Sequence, residues 1–295
     1  MSDAAVRQVR SFNRLVTQRV GALEDHYLAR DRPLGEARLL WEIGVDGCDL
    51  RRLRSRLGLD SGYLSRLLRS LETAGLVGVD PSESDRRVRK ARLTAAGLAE
   101  REVLERGSDE LARSFLEPLS ENRRERLVAA MAEVERLLTA SLVEFEVVDP
   151  AHRDAQSCLQ KYYDELGRRF ETGFDPALSV SAELDNFRPP AGAFLVATLR
   201  AEPIACGGLK LQPDGSAYLK RMWVDESARG LGIGRRLLSE LERHAASLGA
   251  GVVTLETNGA LTEAIALYRS AGYYEVEPFN DEPYAHQWFE KRLEP

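Results

Sequence analysis

Apolar residues in the first half of the chain recur every three or four positions, which is the spacing of amphipathic helices. The series Val6, Val9, Phe12, Leu15, Val16, Val20 and Leu23 predicts one long helix with a single apolar face. The same spacing predicts further helices, with Asp49, Thr94 and Ser120 as N-caps and Gly75 as a stop signal. These helices cover residues 35–43, 49–57, 60–74, 95 onward and 120–142.

A short stretch between these helices shows the features of a β-hairpin. Residues 77–80 and 88–93 read as strands and flank a polar Pro-Ser-Glu-Ser-Asp-Arg turn. We therefore expect a mainly helical domain with one hairpin over residues 1–142.

From residue 143 onward, apolar runs of strand length alternate with helical patterns. Strands are predicted over residues 143–148, 193–199, 204–211, 217–224, 252–257, 273–276 and 286–291, and helices over 151–170, 233–248 and 262–270. Three successive strands followed by alternating helices and strands favour an α/β domain with a mixed sheet. The sequence thus predicts two domains, residues 1–142 and 143–295, joined without a long linker.

Length and composition fit two soluble globular domains. The chain has 295 residues, of which 43% are hydrophobic and 30% charged, and this excludes disordered and fibrous classes. Its apolar runs are too short to cross a membrane and its first residues are too charged for a signal peptide, so we expect no membrane partner. Three scattered cysteines without metal-ligand spacing favour the reduced cytoplasm and predict no metal site.

Charge is distributed unevenly along the chain. The formal net charge is −6, yet residues 51–92 contain 11 basic and 5 acidic residues, and nearly all the basic ones are Arg. The Arg guanidinium binds phosphates and guanine edges through two hydrogen bonds at once. This window would therefore attract DNA, whereas the chain as a whole would not.

Two short helices joined by a turn at Gly58 lie in this basic window and indicate a helix-turn-helix. The second helix begins with small and polar residues, which allow close approach to base edges in the major groove. The Arg-rich hairpin that follows would reach the minor groove. The candidate DNA contacts are Ser61, Gly62, Tyr63, Ser65, Arg66 and Arg69 on the helix, and Asp85, Arg86, Arg87 and Arg89 on the hairpin. The alternative is a solvated basic face without a nucleic-acid partner.

Three segments of the first domain carry a family resemblance. They are Leu64-Ser-Arg-Leu-Leu-Arg-Ser-Leu-Glu-Thr-Ala-Gly-Leu-Val77, Asp85-Arg-Arg87 and Leu93-Thr-Ala-Ala-Gly97. They resemble the MarR family of winged-helix transcription factors. The resemblance implies that the long first and last helices build a homodimer, which reads a palindromic operator in double-stranded DNA. It also implies that Asp85 positions an Arg of the wing for the minor groove.

A glycine-rich turn, Arg229-Gly-Leu-Gly-Ile-Gly-Arg235, follows the strand 217–224 and opens a helix. Glycines let backbone N–H groups approach a pyrophosphate, and the helix N-terminus favours negative charge. A Rossmann nucleotide site is one alternative, but three strands in meander order precede this turn. A purely structural turn between strand and helix is the other alternative.

The surroundings of this turn resemble the GNAT acetyltransferase superfamily over residues 143–295. Met222-Trp-Val-Asp225 precedes the turn, and Ala264-Ile-Ala-Leu-Tyr268-Arg-Ser-Ala-Gly272-Tyr273 follows it. The resemblance implies that acetyl-CoA is the cofactor and that Tyr268 protonates the leaving thiolate. The alternative for Tyr268 is a packed aromatic residue. The implied cofactor-binding residues are Met222, Trp223, Val224, Arg229, Gly230, Leu231, Gly232, Ile233, Gly234 and Arg235.

Two polar residues near the end of the strand 252–257 are further candidates. Glu256 falls where some members of the family carry a general base, which must deprotonate the attacking amine. The alternative is a solvent-exposed acid at a strand end. Many relatives carry an Asn seven residues before the Tyr, where this chain has Leu261, and Asn258 is the candidate that takes its place at the cofactor.

Acidic and aromatic residues in two loops suggest the acceptor site. Phe170, Glu171 and Phe174 follow the helix 151–170, and Asn280 and Tyr284 lie in a loop near the end of the chain. Such a combination suits a small cationic amine, although ordinary surface loops have the same composition.

These observations predict a regulator with a DNA-binding domain and an acetyl-CoA-dependent N-acetyltransferase domain that acts on a small amine by direct transfer. One alternative keeps DNA binding and makes the second domain an acetyl-CoA sensor without turnover. Another is an enzyme whose first domain only dimerises.

Overall fold

A computed structural model describes residues 2–22, 27–29, 31–81, 88–179 and 184–293 of the chain. It contains two compact units, Met1–Met131 and Ala132–Pro295, which we call the N-terminal and C-terminal units. The predicted domain boundary at residue 142 stays a prediction.

The N-terminal unit consists of helices and a small sheet. Its helices are α1 (Asp3–Arg19), α2 (Leu34–Ile43), α3 (Leu50–Leu57), α4 (Ser61–Thr73), α5 (Ala95–Leu116) and the first part of α6 (Glu121–Ser141). Its strands β1 (Cys48–Asp49), β2 (Val77–Pro81) and β3 (Arg89–Leu93) form an antiparallel sheet in the order β1-β3-β2. The predicted helices and hairpin strands are confirmed, except that α1 ends at Arg19, before the last residues of the predicted apolar series. Strand β1 adds a third strand that the sequence did not predict.

Side-chain caps fix where these helices begin. Asp49 accepts the backbone N–H groups of Arg51 and Arg52, and Thr94 accepts that of Gly97. Gly97 is also a point of very close approach, because a Cβ there would lie 2.0 Å from the carbonyl oxygen of Leu76. The Thr-Ala-Ala-Gly segment thus ties the start of α5 to the residue before β2.

Leucine side chains fill the core of the N-terminal unit. Leu39, Leu40, Leu53 and Leu71 are fully buried, on α2, α3 and α4. Helix α1 contributes no buried residue at all.

The C-terminal unit is built on a seven-stranded mixed sheet in the order β4-β5-β6-β7-β8-β10-β9. The strands are β4 (Val143–Val147), β5 (Gly192–Leu199), β6 (Glu202–Leu211), β7 (Ala217–Val224), β8 (Val252–Thr257), β9 (Tyr274–Val276) and β10 (Gln287–Arg292). The helices are α7 (Arg153–Arg169), α8 (Ile233–Ser247) and α9 (Thr262–Ser270). This architecture confirms the predicted α/β class with a mixed sheet.

Strands β7 and β8 diverge in the middle of this sheet. Their parallel pairing joins Ala217 to Val253 and Tyr218 to Thr254, and no further pair links the two strands, both of which are described in full. An extra residue in β7 shifts its register against β6, and Arg221 at this bulge has a φ of +57°. Because a bulge bends its strand, β7 turns away from β8 after Tyr218.

Candidate functional site

The separation of β7 and β8 opens two cavities. The larger one, which we call the groove, has a volume of about 530 Å³ and runs along β7, the glycine-rich turn and the start of α8. The smaller one, which we call the inner cavity, has a volume of about 100 Å³ and lies between β7, β8, the end of α7 and the loop around Tyr284. Tyr162, Met222 and Tyr268 line both, so the two cavities meet at these side chains.

The glycine-rich turn forms one end of the groove. Gly230 and Gly232 have φ values of +78° and +75°, and a Cβ on either would meet no atom within 4 Å. Both line the groove, and Gly232 is the N-cap of α8, whose first N–H groups have no partner within the helix. Open backbone at a helix N-terminus fits a pyrophosphate. Arg136 supports the turn by donating a hydrogen bond to the Gly230 carbonyl at 3.0 Å.

Glu165 on α7 binds two side chains that precede the glycines of the turn, Trp223 and Arg229. Arg229 Nη2 lies 2.6 Å from Glu165 Oε2, and Trp223 Nε1 donates to the same oxygen at 2.8 Å. Burial raises the pKa of Glu165, but these hydrogen bonds outweigh it and bring the pKa below its ordinary value. Arg229 and Trp223, both expected to bind the cofactor, therefore contact a carboxylate that the sequence analysis missed.

The other residues expected at the cofactor fall into three groups. Met222, Val224, Ile233, Gly234 and Arg235 line the groove. Leu231 packs against the core of the unit. Asn258 lies on the inner cavity instead, where its amide donates to the Tyr284 carbonyl at 2.7 Å and accepts from the Ala260 N–H at 2.9 Å. These bonds fix the loop after β8.

Tyr268 lies where the groove and the inner cavity meet. Its side chain comes from α9, the residue is only 6% exposed, and its hydroxyl is 3.9 Å from Met222 Sδ. Burial, followed by the charge of Glu256, raises the pKa of Tyr268 above its ordinary value. The hydroxyl therefore keeps its proton at neutral pH.

Glu256 projects from β8 into the inner cavity. Its side chain is 6% exposed, which contradicts the alternative of a solvent-exposed acid. Glu256 Oε1 lies 3.2 Å from Lys220 Nζ, while the buried Oε2 has no hydrogen-bond partner among the residues that the structure describes. A buried carboxylate oxygen without a partner is costly unless a ligand completes it.

Lys220 and Glu282 join Glu256 in one buried cluster. Lys220 Nζ also lies 3.1 Å from Glu282 Oε2, and the Ser179 hydroxyl donates to that oxygen at 2.8 Å. The sequence analysis missed both residues. A lysine in a strand with buried apolar residues was the available signal for the first, whereas Glu282 lies in a loop without periodicity.

Three of the five residues expected at the acceptor site line the inner cavity. The rings of Phe170, Phe174 and Tyr284 contact one another with centroid separations of 4.9 to 5.9 Å. Asn280 does not line the cavity, because its amide bonds the Tyr218 hydroxyl and the Trp288 indole N–H. Glu171 is exposed and lines neither cavity, so its expected role at the acceptor has no support from the cavity lining and stays a prediction.

In the N-terminal unit, the candidate DNA contacts on α4 share one exposed face. The exposed residues are Ser61, Gly62, Tyr63, Ser65, Arg66 and Arg69, while Leu64, Leu67, Leu68 and Leu71 are buried on the opposite face. The Arg66 guanidinium lies 5.0 Å from the centre of the Tyr63 ring. Arg89 is exposed on β3, and Asp85, Arg86 and Arg87 lie outside the described residues.

Comparisons with known proteins bear on both units. Residues 157–273 match the acetyltransferase (GNAT) family, and residues 31–88 match the MarR family. An IAA acetyltransferase of Azospirillum brasilense is 32% identical over 125 residues, which are 42% of this chain and 82% of that protein. The chain belongs to the GNAT acetyltransferase family.

Two further proteins are similar to the GNAT region. An uncharacterized N-acetyltransferase of Schizosaccharomyces pombe is 31% identical over 137 residues, which are 44% of this chain and 80% of that protein. A solved acetyltransferase of the GNAT family from Staphylococcus aureus has 18% identity and a TM-score of 0.44, covering 51% of this chain and 100% of its own. As a GNAT member, the chain is an N-acetyltransferase of the class that uses acyl-CoA.

Two features are absent from the described residues. None of the helices in those parts of the chain is both long and apolar enough to span a bilayer. In the same residues, no group of three or more His, Cys, Asp or Glu side chains is arranged to hold a metal ion.

Proposed function

We propose that the chain is a DNA-binding regulator that also transfers an acetyl group from acetyl-CoA directly to a small primary amine. One observation carries the enzymatic part. Glu256, whose buried Oε2 has no partner among the described residues, lines the inner cavity, and this cavity meets the groove at Tyr268. A candidate proton acceptor and a candidate proton donor thus line the same cavity.

The groove has the features that acetyl-CoA would use. Gly230, Gly232 and the first N–H groups of α8 would hold the pyrophosphate. The edge of β7 that β8 leaves unpaired at Met222–Val224 would bond the pantetheine amides, beside the Val224 carbonyl, which already accepts from Arg229 at 3.2 Å. When bound there, acetyl-CoA supplies the acyl group on its thioester.

The residues of the inner cavity handle the protons. Glu256 Oε2 would accept a proton from the ammonium group of the acceptor, because only a neutral amine is nucleophilic. Tyr268 would donate its hydroxyl proton at the sulfur. The aromatic rings of Phe170, Phe174 and Tyr284 exclude water and suit a cation, which favours a small amine.

The experiment is a screen of small amines with acetyl-CoA, in which free thiol and acetylated product are both measured. We expect Tyr268→Phe to lower kcat by ~10²-fold or more while acetyl-CoA affinity in calorimetry changes little. Glu256→Gln should shift the rate profile to higher pH, because the amine then loses its proton without help. Glu171→Gln, at an exposed site outside both cavities, is the control.

Two outcomes would count against this assignment. Full turnover in Tyr268→Phe would leave the tyrosine with a packing role only. Acetyl-CoA binding without acetylation of any amine by the wild type would favour the alternative of a sensor.

For the N-terminal unit we propose that α4 enters the major groove of DNA. Its support is the exposed polar and basic face opposite four buried leucines. An operator is first selected from random duplexes with the wild type. Arg69→Ala should then weaken binding by about tenfold and flatten its salt dependence. Arg113→Ala, an exposed substitution on α5, should bind normally, and equal affinity of both variants would remove α4 from the interface.

We also propose that the N-terminal unit forms a homodimer through α1. One face of the helix carries five apolar residues whose exposed fractions lie between 38% and 58%: Val6, Val9, Phe12, Leu15 and Val16. A second copy of the same helix would cover this face, and the two-fold symmetry of such a dimer matches a palindromic operator.

A further inference from the structure

We propose that Lys220 and Glu282 are positioning residues that set the protonation and the direction of Glu256. The inference rests on the proposed role of Glu256 as the base, and it explains why a lysine is buried between two carboxylates. Lys220 Nζ lies 3.2 Å from Glu256 Oε1 and 3.1 Å from Glu282 Oε2. The three side chains are 10%, 6% and 5% exposed, so water screens their charges little.

The geometry gives the two carboxylate oxygens of Glu256 different tasks. Oε1 is held by Lys220, which leaves the buried Oε2 as the oxygen without a partner among the described residues, in a side chain that lines the inner cavity. Without Lys220 the carboxyl could rotate, and it would sit beside another carboxylate with no cation between them. Buried ion pairs of this kind add little net stability, so orientation is the better reason for the lysine.

Glu282 limits the influence of Lys220 on Glu256. One ammonium group is shared between two carboxylates, and Ser179 fixes the second one. A lysine that paired with Glu256 alone would hold the carboxylate ionised so strongly that it became a poor proton acceptor. Removing Lys220 has the opposite effect, since two neighbouring carboxylates cannot both stay ionised at low cost.

Three tyrosines and two further cations also surround Glu256, and the Tyr218 hydroxyl is close enough to hydrogen-bond its side chain. Tyr218 on β7, Tyr162 on α7 and Tyr268 on α9 all face it, and burial is the main cause that raises the pKa of each, so they remain neutral. Trp288 lies opposite it on β10. The other cations are Lys210 on β6, whose pKa burial lowers, and Arg221 on the wall of the inner cavity.

The proposal predicts opposite effects for two neighbouring substitutions. Lys220→Met should move the acidic limb of the kcat/KM profile to higher pH by about one unit, because loss of the cation favours the protonated carboxyl. Glu282→Gln should move the same limb to lower pH, because Glu256 then has one negative neighbour fewer and shares Lys220 with one carboxylate fewer. Lys220→Arg keeps the charge and should leave the limb near its wild-type position.

Lys291→Met is the matched control. It breaks another partly buried Lys–Glu pair of the same unit, in which Lys291 Nζ lies 2.8 Å from Glu242. We expect its pH profile to match that of the wild type. Acetyl-CoA affinity, measured by calorimetry in every variant, reports whether the fold is intact, and Lys220→Arg and Glu282→Asp serve as second variants if the first ones do not fold.

An infrared titration gives a readout that needs no turnover. The difference spectrum between wild type and Glu256→Gln isolates the carboxyl band of Glu256. The pH midpoint of this band should move to higher pH in Lys220→Met and to lower pH in Glu282→Gln. Midpoints that stay fixed or move in the same direction in both variants would overturn the proposal. If no amine is acetylated but the midpoints move as stated, the positioning role stands and the proposed amine acetylation fails.

Discussion

Helices α1 and α8 have similar lengths and similar amphipathic patterns, yet only α8 buries its apolar face. Helix α8 buries Ile233, Leu237, Leu238, Leu241 and Ala245 in the core of the C-terminal unit. Helix α1 buries no residue, although it carries a comparable apolar face. Periodicity therefore predicts that a helix has a face to cover, but it does not predict which surface covers it. The C-terminal unit covers the apolar face of α8 itself, whereas the N-terminal unit leaves the apolar face of α1 exposed.

The largest effect should follow from blocking the groove of the self-contained unit. Gly232→Val places a β-branched side chain in left-handed backbone and in the open space of the turn, so we expect acetyl-CoA binding to fall by more than ~100-fold, a loss of about 3 kcal/mol. DNA binding should persist. Gly215→Val is the control, because Gly215 has a φ of +84° and open surroundings away from the groove. Calorimetry that shows wild-type affinity in Gly232→Val would exclude the turn as the phosphate site.

The next effect tests the face that α1 leaves uncovered. Phe12→Glu puts a charge in the centre of that face and should weaken dimerisation by about 100-fold or more, since each substitution acts twice in a symmetric interface. Sedimentation velocity measures the change, with the exposed polar substitution Gln8→Glu as the control. Acetylation per chain should not change. A Phe12→Glu protein that stays dimeric at low concentration would place the interface elsewhere.

A smaller effect should remain confined to the N-terminal unit. Gly97→Ala forces a Cβ against the Leu76 carbonyl oxygen, so we expect a loss of about 2 kcal/mol in the unfolding free energy of that unit. Gly78→Ala is the control, because its Cβ would have its nearest neighbour at 3.9 Å. Scanning calorimetry should show one transition lowered and the acetyl-CoA-stabilised transition unchanged. A joint shift of both transitions would contradict the independence of the two units.

The smallest effect concerns a surface ion pair of the C-terminal unit. Hydrogen bonds from Arg188 and from the Ala151 N–H lower the pKa of Asp149 from 3.8 to about 2. A carboxyl group whose pKa is lowered in the folded state stabilises the fold when the pH is above its ordinary pKa. This stabilisation is lost as the pH falls through the lowered pKa. Arg188→Ala should therefore be slightly less stable than the wild type at pH 7, and the difference should vanish between pH 4 and pH 2. Urea unfolding at these values checks it, and a difference that persists at pH 2 would contradict the assignment.

The sequence predicted the elements well because their signals are local. The side chains of N-caps such as Asp49 and Thr94 accept hydrogen bonds from backbone N–H groups no more than three residues away. Strand β1 was missed because two residues show no periodicity, and its pairing with β3 depends on residues far along the chain.

The candidate site was predicted only in part, for the same physical reason. The glycine turn, Tyr268 and Glu256 belong to contiguous segments whose spacing is visible in the sequence. Glu165, Lys220 and Glu282 meet their partners across tens of residues, and no local pattern shows such contacts. The composition of the loop after α7 did not show which side chains turn inward: α7 ends at Arg169, Phe170 is buried and Glu171 is exposed.

The divergence of β7 and β8 also bears on aggregation. A strand edge with unpaired N–H and C=O groups normally invites a strand from another molecule, and proteins protect their outer edges against this. Here the unpaired edge of β7 lies inside the sheet, between strands that are already joined at Tyr218 and Thr254. A slender ligand can reach such an edge, whereas a second polypeptide with its side chains cannot. The fold thus offers backbone hydrogen bonds to a small molecule without offering them to another copy of itself.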